Sequence, residues 1–395
     1  MTLSFVVGTL GSIVTMVAFG NLLSRETYGT YNYLLSLGAS LSFLTLSGVG
    51  PAVVRAIARG YDNVVPYALR LQLKYSSPAV ALILIVSLYY AYNGNNLFAA
   101  SLVLLAVAYP IADSFHMYKE ILTGRKRFDT LSKINNVITA VGAFSTVVAL
   151  YYTNSIIVLI ALYTVMTFVP NLLAYKSTTK GIGGTPDPEE ISELRRTSFH
   201  LTGAGIIGVI ASYIDKILLF QVAGPAALAT YTFALAGPDR LKSLIKNTNA
   251  LAFPKLARRS LDQIQEVVYK RIVVLLLAGL ALFACYWFLA PFLFKILLPR
   301  YLDTVAYSRV IALAVIITPV SSYFGGIFSA QNMLRATYAY NLMSHVVRIL
   351  LFVILGLEWQ IWGLVWASII ANLFNTLFGF IIWEWEYRRL VKINV

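Results

Sequence analysis

Apolar stretches of about twenty residues recur along the whole chain, and each is long enough to cross a bilayer as a helix. Because a helix rises about 1.5 Å per residue, that length covers the roughly 30 Å thickness of the hydrocarbon core. Of the 395 residues, 58% are hydrophobic and only 12% are charged, whereas about one quarter of a soluble domain is charged. The sequence therefore predicts an all-α polytopic membrane protein.

The apolar stretches predict about twelve transmembrane helices. The expected spans are 3–22, 31–54, 77–93, 97–118, 134–152, 155–175, 199–220, 228–246, 272–291, 305–328, 337–356 and 361–384. The single cysteine, Cys285, lies inside one of these spans. It excludes an intrachain disulfide and a cysteine-based zinc site, and no metal site is expected.

Lysines and arginines are distributed unevenly among the predicted loops. Twenty-five of the 31 fall in the loops after even-numbered spans, at the adjoining helix ends or in the C-terminal tail. Loops rich in positive residues face the cytoplasm. Both termini are therefore expected on the cytoplasmic side of the cytoplasmic membrane. This topology explains the net charge of +14 better than nucleic-acid binding does, so no nucleic-acid partner is expected.

A polar stretch at 176–198 contains the run GIGGTPDPEE, in which glycine and proline oppose regular structure. It is expected to be a cytoplasmic linker between two six-helix bundles, 1–175 and 199–395. A weak internal repeat supports this division, because displacing the chain against itself by 200 positions aligns the same helix pair of each half. The aligned residues include Thr30 with Thr230, Tyr31 with Tyr231, Leu35 with Leu235, Arg59 with Arg259 and Asp62 with Asp262.

Five stretches carry a resemblance to a known family. They are LLSRETYGTYNYLLSL (22–37), SGVGPAVVRAIAR (47–59), SYIDKILL (212–219), VAGPAALATYTFALAG (222–237) and NALAFPKLARR (249–259). In this order, at the start of each half, they resemble the polysaccharide-export and O-antigen flippases. That family belongs to the superfamily that also holds the multidrug and toxin extrusion (MATE) antiporters and the lipid II flippases.

The resemblance implies two bundles around a central cavity and the export of a glycan linked to a lipid diphosphate. It implies roles for Arg55 and for the Asp215-Lys216 pair, which match the motifs of the family. The expected partners are the lipid-linked glycan, membrane lipids, and a glycan polymerase or glycosyltransferases of the same pathway.

Ionisable residues inside the spans are costly in hydrocarbon and therefore mark functional candidates. Guanidinium and ammonium groups bind phosphate oxygens, so a cationic cavity suits a diphosphate. The candidate substrate-binding residues are Arg348, Arg309, Lys216, Arg55, Asp215 and His345. For Arg348 the alternative is an internal contact that only holds helices together. For Arg309, Lys216 and Arg55, which are predicted near the membrane interfaces, the alternative is a side chain that extends to the membrane surface.

Asp113 and His116 lie three residues apart, on one helix face. They are a candidate proton relay, because histidine titrates near physiological pH. The alternative is a polar pair near the membrane interface.

No G-x-x-x-x-G-K-[ST] phosphate loop occurs in the chain. Neither ATP hydrolysis nor a cofactor is expected, and the protein is predicted not to be an enzyme. Two other functions stay open at this point. One is a cation-coupled drug antiporter of the same superfamily, which should favour buried acids over arginines. The other is a membrane-embedded glycan polymerase or acyltransferase, which usually has longer external loops than this chain shows.

Overall fold

The structure is a computed structural model that describes residues 2–393, with side chains described except at 2–7, 244–254 and 391–393. Every regular element in this part of the chain is helical. The α-helices are α1 (Thr2–Leu22), α2 (Arg25–Leu41), α3 (Val49–Ala58), α4 (Val65–Tyr92), α5 (Asn96–Ala106), α6 (Met117–Gly124), α7 (Phe128–Tyr152), α8 (Ile156–Thr178), α9 (Pro188–Arg258), α10 (Leu261–Leu297), α11 (Thr304–Ile311), α12 (Ala314–Ala330) and α13 (Leu334–Ile393).

The two longest helices are each long enough to cross a membrane twice. At 71 and 60 residues, α9 and α13 are far longer than the roughly 20 residues that one crossing needs. Each contains a non-helical residue, Gly224 in α9 (φ 81°, ψ 179°) and Gln360 in α13 (φ 50°, ψ −123°). Gly224 adopts its positive φ without strain because it has no Cβ.

Eight stretches of the described chain are long and apolar enough to span a membrane, and two of them are these double-length helices. The α2–α3 pair, bent by 61°, passes the same test of length and composition when its two helices are taken together. Helix α1 is apolar over the shorter stretch Gly8–Leu22, and the total of twelve crossings stays a prediction. The predicted all-α polytopic membrane fold is confirmed.

The chain divides into two compact units, Met1–Tyr213 and Ile214–Val395. Leu46, Val53 and Ile121 belong to a buried cluster of the first unit. Phe324 and Trp383 belong to a buried cluster of the second. The separation into bundles at 1–175 and 199–395 stays a prediction.

The start of α9 belongs to the first unit and packs against its other helices. Leu194 is buried in the core cluster of that unit, and Glu193 forms a 2.7 Å ion pair with Arg59, the residue that follows α3. Further along α9, Thr202 accepts a 2.9 Å hydrogen bond at its Oγ1 from the backbone N–H of Gly48. This helix therefore fixes the segment in which α2 gives way to α3.

Two irregular segments lie in the first unit. One is the 61° bend between α2 and α3. The other separates α5 from α6, where a π-helical turn, Val107–Ala112, is followed by a 3₁₀ turn, Asp113–His116. The π turn contains Pro110, which has no backbone N–H to donate. Such π turns inside helices are frequent at functional sites.

Helices α10 and α12 cross at Gly279, and this contact yields a test of the fold. A Cβ at Gly279 would lie 2.7 Å from the carbonyl oxygen of Ile316. We expect Gly279→Val to destabilise the protein by roughly 1–3 kcal/mol, because overpacking forces the two backbones apart. The measurement is the midpoint of thermal unfolding in detergent. Gly205→Ala is the control, since a Cβ there meets nothing within 4 Å. An equal decrease of the unfolding midpoint in both variants would contradict the close contact between α10 and α12.

Candidate functional site

Asp215 is a buried carboxylate of the second unit, with only 3% of its surface exposed. The break at Gly224 lets the second part of α9 bring Tyr231 back to it. The Tyr231 hydroxyl donates a 3.0 Å hydrogen bond to Asp215 Oδ2, and the backbone N–H of Lys216 donates one of 2.9 Å to Oδ1. Both carboxylate oxygens are therefore paired, as a buried charge requires.

Arg348 lies on α13, half-buried, within electrostatic range of Tyr231. Its guanidinium stacks on the Phe352 ring, with 4.9 Å between Cζ and the ring centroid. Its Nε is buried without a hydrogen-bond partner. No described residue forms an ion pair or hydrogen bond with Arg348, although a guanidinium carries five N–H donors. The donors of this cation are therefore available to an anion.

The other predicted cations of the second unit lie in different surroundings. His345, one turn before Arg348 on α13, is half-buried and within electrostatic range of it. Lys216 follows Asp215 on α9 and is also half-buried. Arg309 has partners on α10, since its Nε donates a 2.8 Å hydrogen bond to the Trp287 carbonyl and its Cζ lies 4.9 Å from the Trp287 ring centroid.

Arg55 lies on α3, in the first unit, and is exposed. It lines a small surface pocket with Arg59, Glu190 and Glu193. The structure therefore places Arg55 beside the ion pair that joins α3 to the start of α9. Its role in substrate binding stays a prediction.

The predicted pair Asp113 and His116 is in contact, with 2.7 Å between Asp113 Oδ1 and His116 Nδ1. Both residues belong to the 3₁₀ turn between α5 and α6. They line a cavity of about 220 Å³ in the first unit, together with Gln72 of α4 and with Lys119 and Glu120 of α6. Sequence reasoning missed Glu120, although its position seven residues after Asp113 places it on the same helix face.

A second cavity of the first unit has a volume of about 480 Å³ and lies among α1, α2, α7 and α8. None of the described residues that line it carries a charge. Its polar groups are hydroxyls and one amide, from Ser12, Thr15, Tyr28, Tyr31, Asn32, Thr139, Thr146, Tyr163 and Thr167.

Sequence reasoning missed this cavity because it searched for charges. The available signal was a face of small and hydroxylated residues on α7, formed by Thr139, Gly142, Ala143 and Thr146 at helical spacing. Hydroxyls and amides both donate and accept hydrogen bonds, and aromatic rings add apolar faces. Such a lining suits a neutral, hydroxyl-rich ligand such as a glycan.

The Asp215–Tyr231 pair yields a prediction. We expect Tyr231→Phe to lower stability by roughly 1.5–3 kcal/mol, since it removes a hydrogen bond to a charged, buried acceptor. The measurement is the thermal unfolding midpoint in detergent. Tyr151→Phe provides the control because Tyr151 is 73% exposed. If both variants unfold at the wild-type temperature, the hydrogen bond does not stabilise Asp215.

The fold is similar to that of solved transporters of the MOP superfamily. An inward-facing MATE family multidrug resistance transporter matches with a TM-score of 0.72 and 15% identity, over 97% of this chain and 96% of that one. Its outward-facing form gives a TM-score of 0.62 and 15% identity, over 98% and 96%. A MOP superfamily transporter from Pyrococcus furiosus Vc1, whose reversed binding-pocket polarity suggests a different function, gives 0.58 and 14%, over 96% and 93%.

A comparison with curated proteins gives no significant match. The sequence profile of a family described as polysaccharide biosynthesis protein matches residues 1–237. This match confirms the resemblance drawn from the sequence and covers more than half of the 395 residues. The chain therefore belongs to the polysaccharide biosynthesis protein family.

Proposed function

We propose that the protein is a flippase, which moves an oligosaccharide linked to a lipid diphosphate across the cytoplasmic membrane by alternating access. The transported glycan conjugate would serve the synthesis of a surface polysaccharide or glycoconjugate. Membership of the polysaccharide biosynthesis family and the fold of a MOP transporter support this function. The observation that carries the proposal is the guanidinium of Arg348, which has no ion-pair partner among the described residues.

Arg348 supports an anionic cargo by its chemistry. A cation in a membrane-spanning segment is costly unless it is paired or faces water, and the described residues leave the buried Nε of Arg348 without a hydrogen bond. Arginine matches phosphate oxygens with two parallel hydrogen bonds. In this proposal Arg348 binds the diphosphate, with His345 and Lys216 as supporting groups and Asp215 held in place by Tyr231.

The uncharged cavity of the first unit, taken by itself, has a lining that suits a glycan. Ligand pockets commonly measure about 300–1,000 Å³, and this one measures about 480 Å³. Tyr28 and Tyr31 each pack against Phe19, with ring centroids 5.3 and 5.1 Å apart. Their rings are therefore fixed before a ligand binds, which lowers the entropy cost of binding.

The proposed orientation places both termini in the cytoplasm, as the distribution of lysine and arginine indicates. A glycan polymerase or glycosyltransferases of the same pathway are proposed as partners, since they would produce or consume the cargo.

A cation-coupled drug antiporter is the second candidate, and the similarity to MATE transporters favours it. The cavity around Asp113 and Glu120 supplies the acids that such an antiporter uses. A membrane-embedded polymerase or acyltransferase is the third candidate, and the fold favours it less.

The test is a transport assay with purified protein in liposomes. A fluorescent lipid diphosphate that carries a short glycan is placed in both leaflets, and a membrane-impermeant quencher reports its movement. We expect the quenched fraction to rise from one half towards completion in the presence of protein. If the label stays protected, while a cationic dye moves down an imposed proton or sodium gradient, the protein is an antiporter. Covalent change of the labelled lipid would indicate an enzyme.

A further inference from the structure

We propose that Glu120 is the proton acceptor of a binding site in the first unit, and that proton binding there controls the bend between α2 and α3. The site consists of Glu120 with the Asp113–His116 pair, in the cavity of about 220 Å³. This inference goes beyond the flippase function, because it holds whatever cargo the protein moves.

Glu120 has the surroundings of a group that exchanges a proton. Its Oε2 is buried and has no hydrogen-bond partner among the described residues, although Glu120 lines a polar cavity. A buried carboxylate oxygen without a donor costs free energy, and uptake of a proton removes the charge that causes much of this cost. The ion pairs of the described residues do not include Glu120.

The Asp113–His116 pair supplies a route for the proton. His116 and Glu120 lie four residues apart across the junction of the 3₁₀ turn and α6, so they share one face of the crossing. The side chain of Asp113 is 54% exposed and that of His116 is 28% exposed, so exposure decreases towards the buried oxygen of Glu120. Polar cavities of this size commonly hold water, through which a proton can pass from the pair to Glu120.

The other elements that line the cavity contribute no charge. Ser47 and Gly50 come from the α2–α3 segment and Gln72 from α4. The titratable groups within electrostatic range of Glu120 are Lys119, His116, Asp113 and Tyr118, all on the same membrane-spanning stretch. Lys119 forms no ion pair with a described residue, and its Nζ lies 5.8 Å from the Tyr118 ring centroid. Among the described residues that line the cavity, the charged side chains are therefore those of Glu120, Lys119, His116 and Asp113.

The position of the cavity links the proton to the bend. Ser47 lies between α2 and α3, and Gly50 is in the first turn of α3. The carboxylate of Glu120 lies directly against Gly50, since a Cβ there would be 3.2 Å from Oε1 and 3.3 Å from Cγ. Glu120 itself belongs to the span Asn96–Gly124, which contains the π turn Val107–Ala112. A change of charge on Glu120 therefore affects both the bent α2–α3 pair and the span that contains the π turn.

The experiment reads the proton and the bend separately, without any cargo. Infrared difference spectra of the protein in liposomes, recorded between pH 5 and pH 8, detect the C=O stretch of a protonated carboxyl group. Spin labels at Glu26→Cys and Ala58→Cys, in a Cys285→Ser background, report the distance across the bend by pulsed electron paramagnetic resonance. We expect both signals to change with pH in the wild-type background and both changes to be lost in Glu120→Gln.

Asp129→Asn is the matched control, since Asp129 is an exposed acid at the start of the neighbouring α7, and it should keep both signals. If Glu120→Gln does not fold, Gly50→Ala is the second variant. Its added Cβ presses on Oε1 and should shift the pH midpoint of both signals. Persistence of either pH-dependent signal in Glu120→Gln, or an unshifted midpoint in Gly50→Ala, would overturn the proposal. If the wild-type protein shows both pH-dependent signals but does not transport the lipid-linked glycan in liposomes, the flippase function is refuted and the proton site is not.

Discussion

Replacing Arg348 by alanine is expected to reduce transport of the lipid-linked glycan by roughly ten- to a hundredfold, since a hydrogen bond to a charged group contributes about 1.5–3 kcal/mol. The stability of the protein should stay unchanged or rise, because the variant removes a cation whose buried Nε has no hydrogen-bond partner in the described structure. Transport is measured by quenching in liposomes and stability by the thermal unfolding midpoint. Opposite changes of these two quantities are the signature of a binding residue.

Two variants make this result specific. Arg348→Lys keeps the charge but loses the paired donors that fit a phosphate, so it should transport at an intermediate rate. Arg335→Ala removes an exposed arginine from the first turn of the same helix and should transport at the wild-type rate. If Arg348→Ala transports normally, or loses transport only in proportion to its stability, Arg348 holds helices together and does not bind the cargo.

Filling the uncharged cavity should produce a loss of similar size. We expect Gly142→Phe to bring transport close to the background of protein-free liposomes, because its ring would occupy the cavity of about 480 Å³. Folding should be preserved, since a Cβ at Gly142 meets nothing within 4 Å. Phenylalanine also has a higher helix propensity than glycine. The measurements are again quenching in liposomes and thermal unfolding.

Gly142→Ala is the matched control, because it adds the Cβ but leaves the volume of the cavity almost unchanged. It should transport at the wild-type rate and be more stable by roughly 0.5–1 kcal/mol, which glycine costs inside a helix relative to alanine. A glycine at a helix position where no neighbour needs the space is a local conflict, and such conflicts are expected at functional sites. Normal transport by Gly142→Phe would show that the cargo does not use this cavity.

The helices were predictable from the sequence because the bilayer imposes a local rule. Backbone groups in hydrocarbon must be satisfied within the segment, so each apolar stretch of sufficient length had to be a helix. The predicted spans 199–220 and 228–246 lie on either side of Gly224 in α9. Those at 337–356 and 361–384 lie on either side of Gln360 in α13. The bend in the predicted span 31–54 was not foreseen, although Gly48, Gly50 and Pro51 are residues that oppose a continuous helix.

The candidate site was predicted less completely. The contact between Asp113 and His116 follows from helical spacing, so the sequence predicted it. The pairing of Asp215 with Tyr231 joins residues on either side of the break in α9, and no local pattern predicts it. Arg309 and Arg348 look alike in the sequence, since each is an arginine inside an apolar helix. Only the structure shows that Arg309 donates a hydrogen bond to the Trp287 carbonyl, whereas the buried Nε of Arg348 has no partner in the described part of the chain.

The sequence by itself determined that this chain is a polytopic helical membrane protein of the polysaccharide biosynthesis family. The length of an apolar stretch and the motifs of a family are properties of consecutive residues, so both can be recognised without knowledge of the packing. The tertiary structure decided which charges are paired, where the uncharged cavity lies and that Glu120 faces Gly50. These depend on contacts between segments far apart in the chain. In a low-dielectric interior the cost of a polar group depends on such partners, and only packing determines which partners it finds.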